Sequence, residues 1–201
     1  AEVELDCANY DNCLQILNPL LSIQEDRDQM ESVITARIFS TLGFTYMKKG
    51  NFPRGSELLN KGYKILLEKP KANILETIKS LIRQSRLYFS LAQDEESKKL
   101  LQKARALITD HLGKESYEMI EVNYLLGMHA YHCSYYDEAK KIFSDTLEQV
   151  YKYFGENSSK VGGILKYLAH VSVMEGNLKM AHKYAEDSYE IYRSEERRVG
   201  K

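Results

Sequence analysis

The 201-residue sequence is 43% hydrophobic and 28% charged, with a formal net charge of −1, the composition of a globular chain. No apolar run approaches the roughly 18 to 20 residues needed to cross a bilayer, and the near-neutral balance gives no electrostatic case for nucleic acid. Three cysteines (Cys7, Cys13 and Cys133) form no metal-ligand framework and cannot close completely into internal disulfides, so they read as free thiols in a reducing, cytoplasmic setting.

Five short segments recur at a spacing of 42 residues without insertion or deletion, starting at Ala8, Gly50, Ala92, Ser134 and Gly176. A period of 20 to 50 residues predicts a solenoid, in which each unit contacts mainly its neighbours. The chain opens inside the first register with Tyr10, Leu14 and Leu17 on one helix, and Asp28-Gln29 marks the turn that follows. The second register carries Gly55 and Leu59, and its turn falls at Pro70-Lys71, where proline ends the preceding helix. The third starts on Asp94-Glu95-Glu96, acidic residues suited to a helix N-terminus, and turns at Leu112-Gly113.

In the fourth register, Ala139, Ile142, Phe143, Leu147 and Val150 fall on one helical stripe. That helix is predicted to end near Phe154-Gly155, with glycine in the left-handed C-terminal position. Asn157-Ser158-Ser159 then offers capping side chains to a helix bearing Val161, Ile164, Leu165, Leu168, Val171 and Met174, which stops at Gly176.

Read down the register, small residues form two columns: Cys13, Gly55, Ser97, Ala139 and Ala181, and Gly43, Ser85, Gly127 and Ala169. Large residues accompany them: Leu42, Leu126 and Leu168, and Leu17, Leu59, Leu101 and Phe143. Alternating small and large positions let facing helices interlock. Gln84 breaks the first large column and Ala185 weakens the second. A glutamine at that slot must find a hydrogen-bond partner or turn outward.

The run Leu126-Gly127, Tyr135-Tyr136-Asp137-Glu138-Ala139, Phe143 and Leu147 resembles a tetratricopeptide repeat, and the 42-residue period resembles its kinesin-light-chain type. The resemblance covers about residues 8 to 192, and departs from the family in lacking Trp and in having Thr146 and Ser188. It implies an all-α fold, a right-handed superhelical solenoid of antiparallel helix pairs. One repeat array would occupy residues 1–192 as a fragment of a longer array. Residues 193–201 leave the repeat abruptly and resemble a translated sequencing-library adapter. Their four basic and two acidic residues take the totals from 28 and 29 down to 24 and 27, a net of −3.

In this family the first helix of each pair lines a concave groove that binds peptides. By register, the groove positions here are Arg37, Ser40, Phe44, Met47 and Lys48, then Lys79, Ile82, Arg83, Arg86 and Phe89. Glu121, Tyr124, Met128, Tyr131 and His132 follow, and then Lys166, His170, Val173 and Met174. The first half is basic and the second aromatic and methionine-rich, which suits a peptide with acidic residues at one end and apolar anchors at the other. The family's chaperone-binding members hold a terminal carboxylate with a Lys and Asn set, and no Asn stands at these groove positions.

Catalytic patterns are missing: there is no G-x-S-x-G, P-loop, H-E-x-x-H or dinucleotide-binding glycine signature. His129, His132 and Cys133 lie within one turn without an acidic ligand at a matching offset, so no metal and no cofactor are expected. Gly162-Gly163 reads as a close-packing site. The leading reading is a scaffold or adaptor with a protein or peptide partner and no role in catalysis, nucleic-acid binding or membrane insertion. A peptide-sensing regulator with a separate output domain is the alternative, and an accessory domain of an enzyme the third. Tyr10, Leu14 and Leu17 at one end are expected to lack their first-helix partner, and Tyr184, Tyr189 and Tyr192 at the other a following unit, with fraying or self-association at these ends.

Overall fold

The computed structural model of the chain describes residues 9–27, 29–68 and 73–199, with 198 and 199 as backbone only. Cys7, Ala8, Asp28, Pro70-Lys71 and Gly200-Lys201 lie outside the described residues. Among those described there are nine α-helices and no strand: α1 (Tyr10–Asp26), α2 (Val33–Lys48), α3 (Phe52–Glu68), α4 (Ile74–Ser90), α5 (Asp94–His111), α6 (Tyr117–His132), α7 (Tyr136–Phe154), α8 (Ser159–Met174) and α9 (Leu178–Val199). They fall into two compact units, Ala1–His111 with α1 to α5 and Leu112–Lys201 with α6 to α9.

The 42-residue period is written into the turns. After each of α2, α4, α6 and α8, one residue takes a left-handed backbone: Gly50, Ala92, Ser134 and Gly176, with φ of 82°, 56°, 63° and 75°. The next amide then reaches back five residues, Asn51 to Tyr46 O, Gln93 to Tyr88 O, Tyr135 to Ala130 O and Asn177 to Ser172 O, at 2.8–2.9 Å. This is a Schellman closure, which satisfies the last helical carbonyls. Glycine enters that conformation freely, whereas Ala92 and Ser134 place a Cβ against the carbonyl. Replacing either by glycine is expected to raise the unfolding free energy by about 1 kcal/mol. A shift of the urea midpoint at unchanged slope checks this.

Helix starts repeat as well. Ser32, Ser116 and Ser158, spaced at one or two periods, each accept the amide of the residue three further on, at 3.1, 3.4 and 3.4 Å. Asn9, Asn51 and Asn177 cap the second helices of their pairs in the same way. Such a side chain accepts from one of the four amides that a helix start leaves without a partner.

In the first unit α2 packs against α1, α3 and α4, and α4 packs also on α3 and α5. The small columns meet where expected. A Cβ on Gly43 would lie 2.8 Å from both the Gly55 carbonyl and the Leu59 amide, and one on Gly62 would lie 2.8 Å from the Ala36 carbonyl. Polar members of the columns also make contacts: Ser97 Oγ donates to Ser85 O at 2.7 Å, and Cys13 Sγ sits 3.2 Å from Thr45 Oγ1. Gln84 stays inside, 3% exposed, with Nε2 donating to Asn60 Oδ1 at 3.2 Å and facing Leu59 O at 3.5 Å. The break in the leucine column is therefore repaired by a polar contact from α3.

The second unit is built the same way, α6 on α7 and α8, α7 on α8, and α8 on α9. Phe143, fully buried, takes the place of the leucines at 17, 59 and 101, and its ring fills the space over Gly127. Ala185, the weak member of that column, is exposed. Gly162 packs under the Tyr192 ring, and Ser188 Oγ donates to Gly162 O at 2.8 Å. Residues 193–199 continue α9, and Glu195 accepts the Ser159 amide at the start of α8.

At the chain ends most of the named residues are covered within their own unit. Leu17 is buried and Leu14 half-buried, both packed with Ile38, Phe39 and Leu42 of α2. They face the following helix, which covers them. The apolar row left exposed on α1 is Ile16, Leu20 and Ile23. Tyr184 packs against the core of the second unit, and Tyr192 covers Gly162, leaving Tyr189 as the well-exposed member of that trio at 62%.

Candidate functional site

Each first helix packs against two or three others, so little of its surface remains. On α2, ten of sixteen residues are buried, among them Ser40 and Met47. Ile82 of α4 is buried too. These three therefore belong to the core, and the open strip in the first unit is carried by Arg37, Phe44 and Lys48 of α2 and Lys79, Arg83, Arg86 and Phe89 of α4.

The five cations of that strip divide into two groups. Arg37 and Lys79 both approach the Glu76 carboxylate, at 3.5 and 4.0 Å, so one carboxylate offsets part of their combined charge. The other three converge on the Phe44 ring: Lys48 Nζ at 5.3 Å from its centroid, and the Arg83 and Arg86 guanidinium carbons at 5.9 and 6.0 Å. Cations gather there because the ring face carries negative quadrupole charge, worth about 0.5–1 kcal/mol each at an open site. Arg83 is also anchored, with Nη1 donating to Ser40 Oγ and Thr41 Oγ1 at 3.1 Å. Partial burial, and secondarily the charge of Arg86, hold the Lys48 ammonium below the usual lysine range. Ser40 serves the strip from beneath, by orienting Arg83.

In the second unit the strip is aromatic. Tyr124, Met128 and Tyr131 of α6 are half-buried over the core, and Lys166 and His170 of α8 are exposed beside them. Tyr167 of α8 ties the rings together. It stacks on Phe143 at 5.2 Å and 14°, and meets Tyr124 and Tyr131 edge-on at 5.9 and 5.7 Å. Tyr131 also contacts His170 at 5.9 Å, and Lys166 Nζ lies 5.2 Å over the Tyr167 ring. Burial, with smaller contributions from Tyr131 and Tyr192, pushes the Tyr167 hydroxyl pKa up. Such T-shaped and offset pairs are each worth about 0.5–1.5 kcal/mol beyond their area, so this strip is rigid as well as apolar. Val173 and Met174 extend it, both more than half exposed.

Tyr167 is absent from the groove positions read by register, although a signal for it existed. It stands two periods after Arg83, in a column already credited with a groove residue. His129 is buried and His132 exposed, so the histidine pair of that turn does not share one face. None of the described helices is long and apolar enough to cross a membrane.

No protein-family model and no curated protein sequence matches this chain. Solved structures do. BtubC (BKLC) from P. vanneervenii superposes with a TM-score of 0.69 at 15% identity, over 96% of this chain and 75% of that one. The Podosopora anserina putative kinesin light chain, with nearly identical TPR-like repeats, gives 0.67 at 16%, over 98% and 93%. The Rap conjugation gene regulator of plasmid pLS20, solved in complex with the Phr* peptide, gives 0.80 at 14% identity. That match covers 96% of this chain and 51% of the regulator. The fold is thus an all-α helical repeat of the tetratricopeptide type. Kinesin-light-chain repeats and a Rap regulator are its structural neighbours, in keeping with the 42-residue period.

Proposed function

We propose that this chain is a protein-interaction module that binds a peptide segment of a partner on the exposed strips of its first helices, and that it performs no catalysis itself. The observation that carries the reading is the gathering of Lys48, Arg83 and Arg86 around Phe44, on a strip that core packing leaves open. Charge-assisted hydrogen bonds from such groups contribute about 1.5–3 kcal/mol each. The aromatic strip of the second unit, Tyr124, Met128, Tyr131, Lys166 and His170 with Tyr167, supplies apolar anchoring of the kind that dominates binding energy. The chemistry fits a segment with acidic and apolar residues.

The test is a peptide array probed with the purified chain, followed by titration of the best ligands. Arg83→Glu together with Arg86→Glu is expected to weaken acidic ligands by about a hundredfold or more, two charge-assisted contacts being lost. Unchanged affinity for every ligand would place binding elsewhere on the molecule.

A second reading, a peptide-sensing regulatory domain, is favoured by the likeness to the Rap regulator solved in complex with the Phr* peptide. Short free peptides that bind as tightly as the same segments inside whole proteins, and that change the chain's protease sensitivity, would support it over a scaffold.

A further inference from the structure

We infer that the patch formed by Lys48, Arg83 and Arg86 over Phe44 receives a phosphorylated side chain of the bound segment. The inference rests on the peptide-binding reading above and deepens it. Three cationic groups, from α2 and α4, lie within 6.0 Å of one ring centroid, so they share a single small patch. One carboxylate brings one charge and two oxygens. A phosphate monoester brings a charge of about −1.5 to −2 and three strong acceptor oxygens. Two guanidinium forks and an ammonium approaching from different helices match the second set better.

The rest of the strip sharpens the assignment. Arg37 and Lys79 approach the Glu76 carboxylate, whereas the patch at Phe44 is built from Lys48, Arg83 and Arg86. Lys48, Arg83 and Arg86 cluster at one ring, a geometry that suits one compact dianion better than a run of single charges. Arg83 is held in advance by Ser40 and Thr41, so its orientation costs little at binding. Burial first, and the neighbouring Arg86 second, depress the Lys48 ammonium, and a bound dianion relieves the second of these.

The experiment uses the full chain immobilised on resin and three degenerate peptide libraries that differ only at the central residue: phosphoserine, glutamate or serine. The phosphoserine library is expected to be retained about tenfold better than the glutamate library. Arg86→Met and Lys48→Met are each expected to remove that advantage with the helical circular dichroism unchanged. Arg83→Met is expected to do the same, although it also releases the Ser40 and Thr41 hydroxyls. Equal retention of the phosphoserine and glutamate libraries overturns the inference and leaves the peptide-binding reading standing. So does a phosphoserine advantage that survives all three substitutions. Retention of none of the libraries overturns both. If a mixed-sequence single-stranded oligonucleotide is retained better than any library, with the same dependence on the three cations, phosphopeptide recognition is also overturned.

Discussion

Phe143→Ala is expected to lower the stability of the second unit by about 3–5 kcal/mol, the range for a large aromatic removed from a packed core. The ring is 0% exposed, stacks on Tyr167 and fills the space above Gly127. Tyr124 also meets it edge-on at 6.1 Å, so its loss loosens the floor of the aromatic strip as well as the core. Phe143→Leu restores the residue found at 17, 59 and 101 and is expected to cost less than half as much. Hydrogen exchange followed by mass spectrometry reads this locally, which matters because repeat arrays need not unfold in one step. Amides of α6 to α8 should lose protection while those of α2 to α4 keep theirs. Equal, small losses for both variants would mean that the ring is not what fills the Gly127 site.

Gly43→Ala is the second large effect, expected at about 1–3 kcal/mol of destabilisation. Alanine alone favours a helix over glycine by about 1 kcal/mol, so the sign is set by space. A Cβ at 43 would stand 2.8 Å from the Gly55 carbonyl and the Leu59 amide, backbone atoms that move only if α2 and α3 separate. The same substitution at Gly127 meets a side chain, Phe143 Cε1 at 2.7 Å, and so has a possible suppressor. Gly127→Ala combined with Phe143→Leu should be less damaging than the two single effects added together. Circular dichroism melts of the wild type, the two single variants and the double variant measure that coupling. Strict additivity would contradict the packing described.

The fold was legible in the sequence because its turns and contacts repeat in register. Gly50, Ala92, Ser134 and Gly176 stop four helices in one backbone conformation, and Ser32, Ser116 and Ser158 start three of the same four. The small columns marked the close approaches, and Gly43 against Leu59 and Gly127 against Phe143 both meet as the columns required. What escaped was the choice of neighbour. A helical stripe gives the phase of each residue but not which helix covers each arc. Ser40, Met47 and Ile82 were therefore placed on the open strip although α2 and α4 are covered on three sides. The stripe also does not say that α2 covers Leu14 and Leu17 and leaves the Ile16, Leu20 and Ile23 row exposed. Tyr167 was passed over between Lys166 and His170. Likewise, the division of the five cations into a pair on Glu76 and a trio on Phe44 depends on side-chain reach between helices, which spacing along one helix does not encode.

The central claim is that ligands meet the chain on the open strips of α2, α4, α6 and α8. Backbone amide shifts in heteronuclear NMR, recorded as the best array peptide is titrated in, test it most directly. The account predicts saturable shifts concentrated near Phe44, Lys48, Arg83 and Arg86 for acidic ligands, and near Tyr131, Tyr167 and His170 for apolar ones, with α3, α5 and α7 little changed. Shifts confined to those second helices, or to the Ile16, Leu20 and Ile23 row of α1, would contradict it.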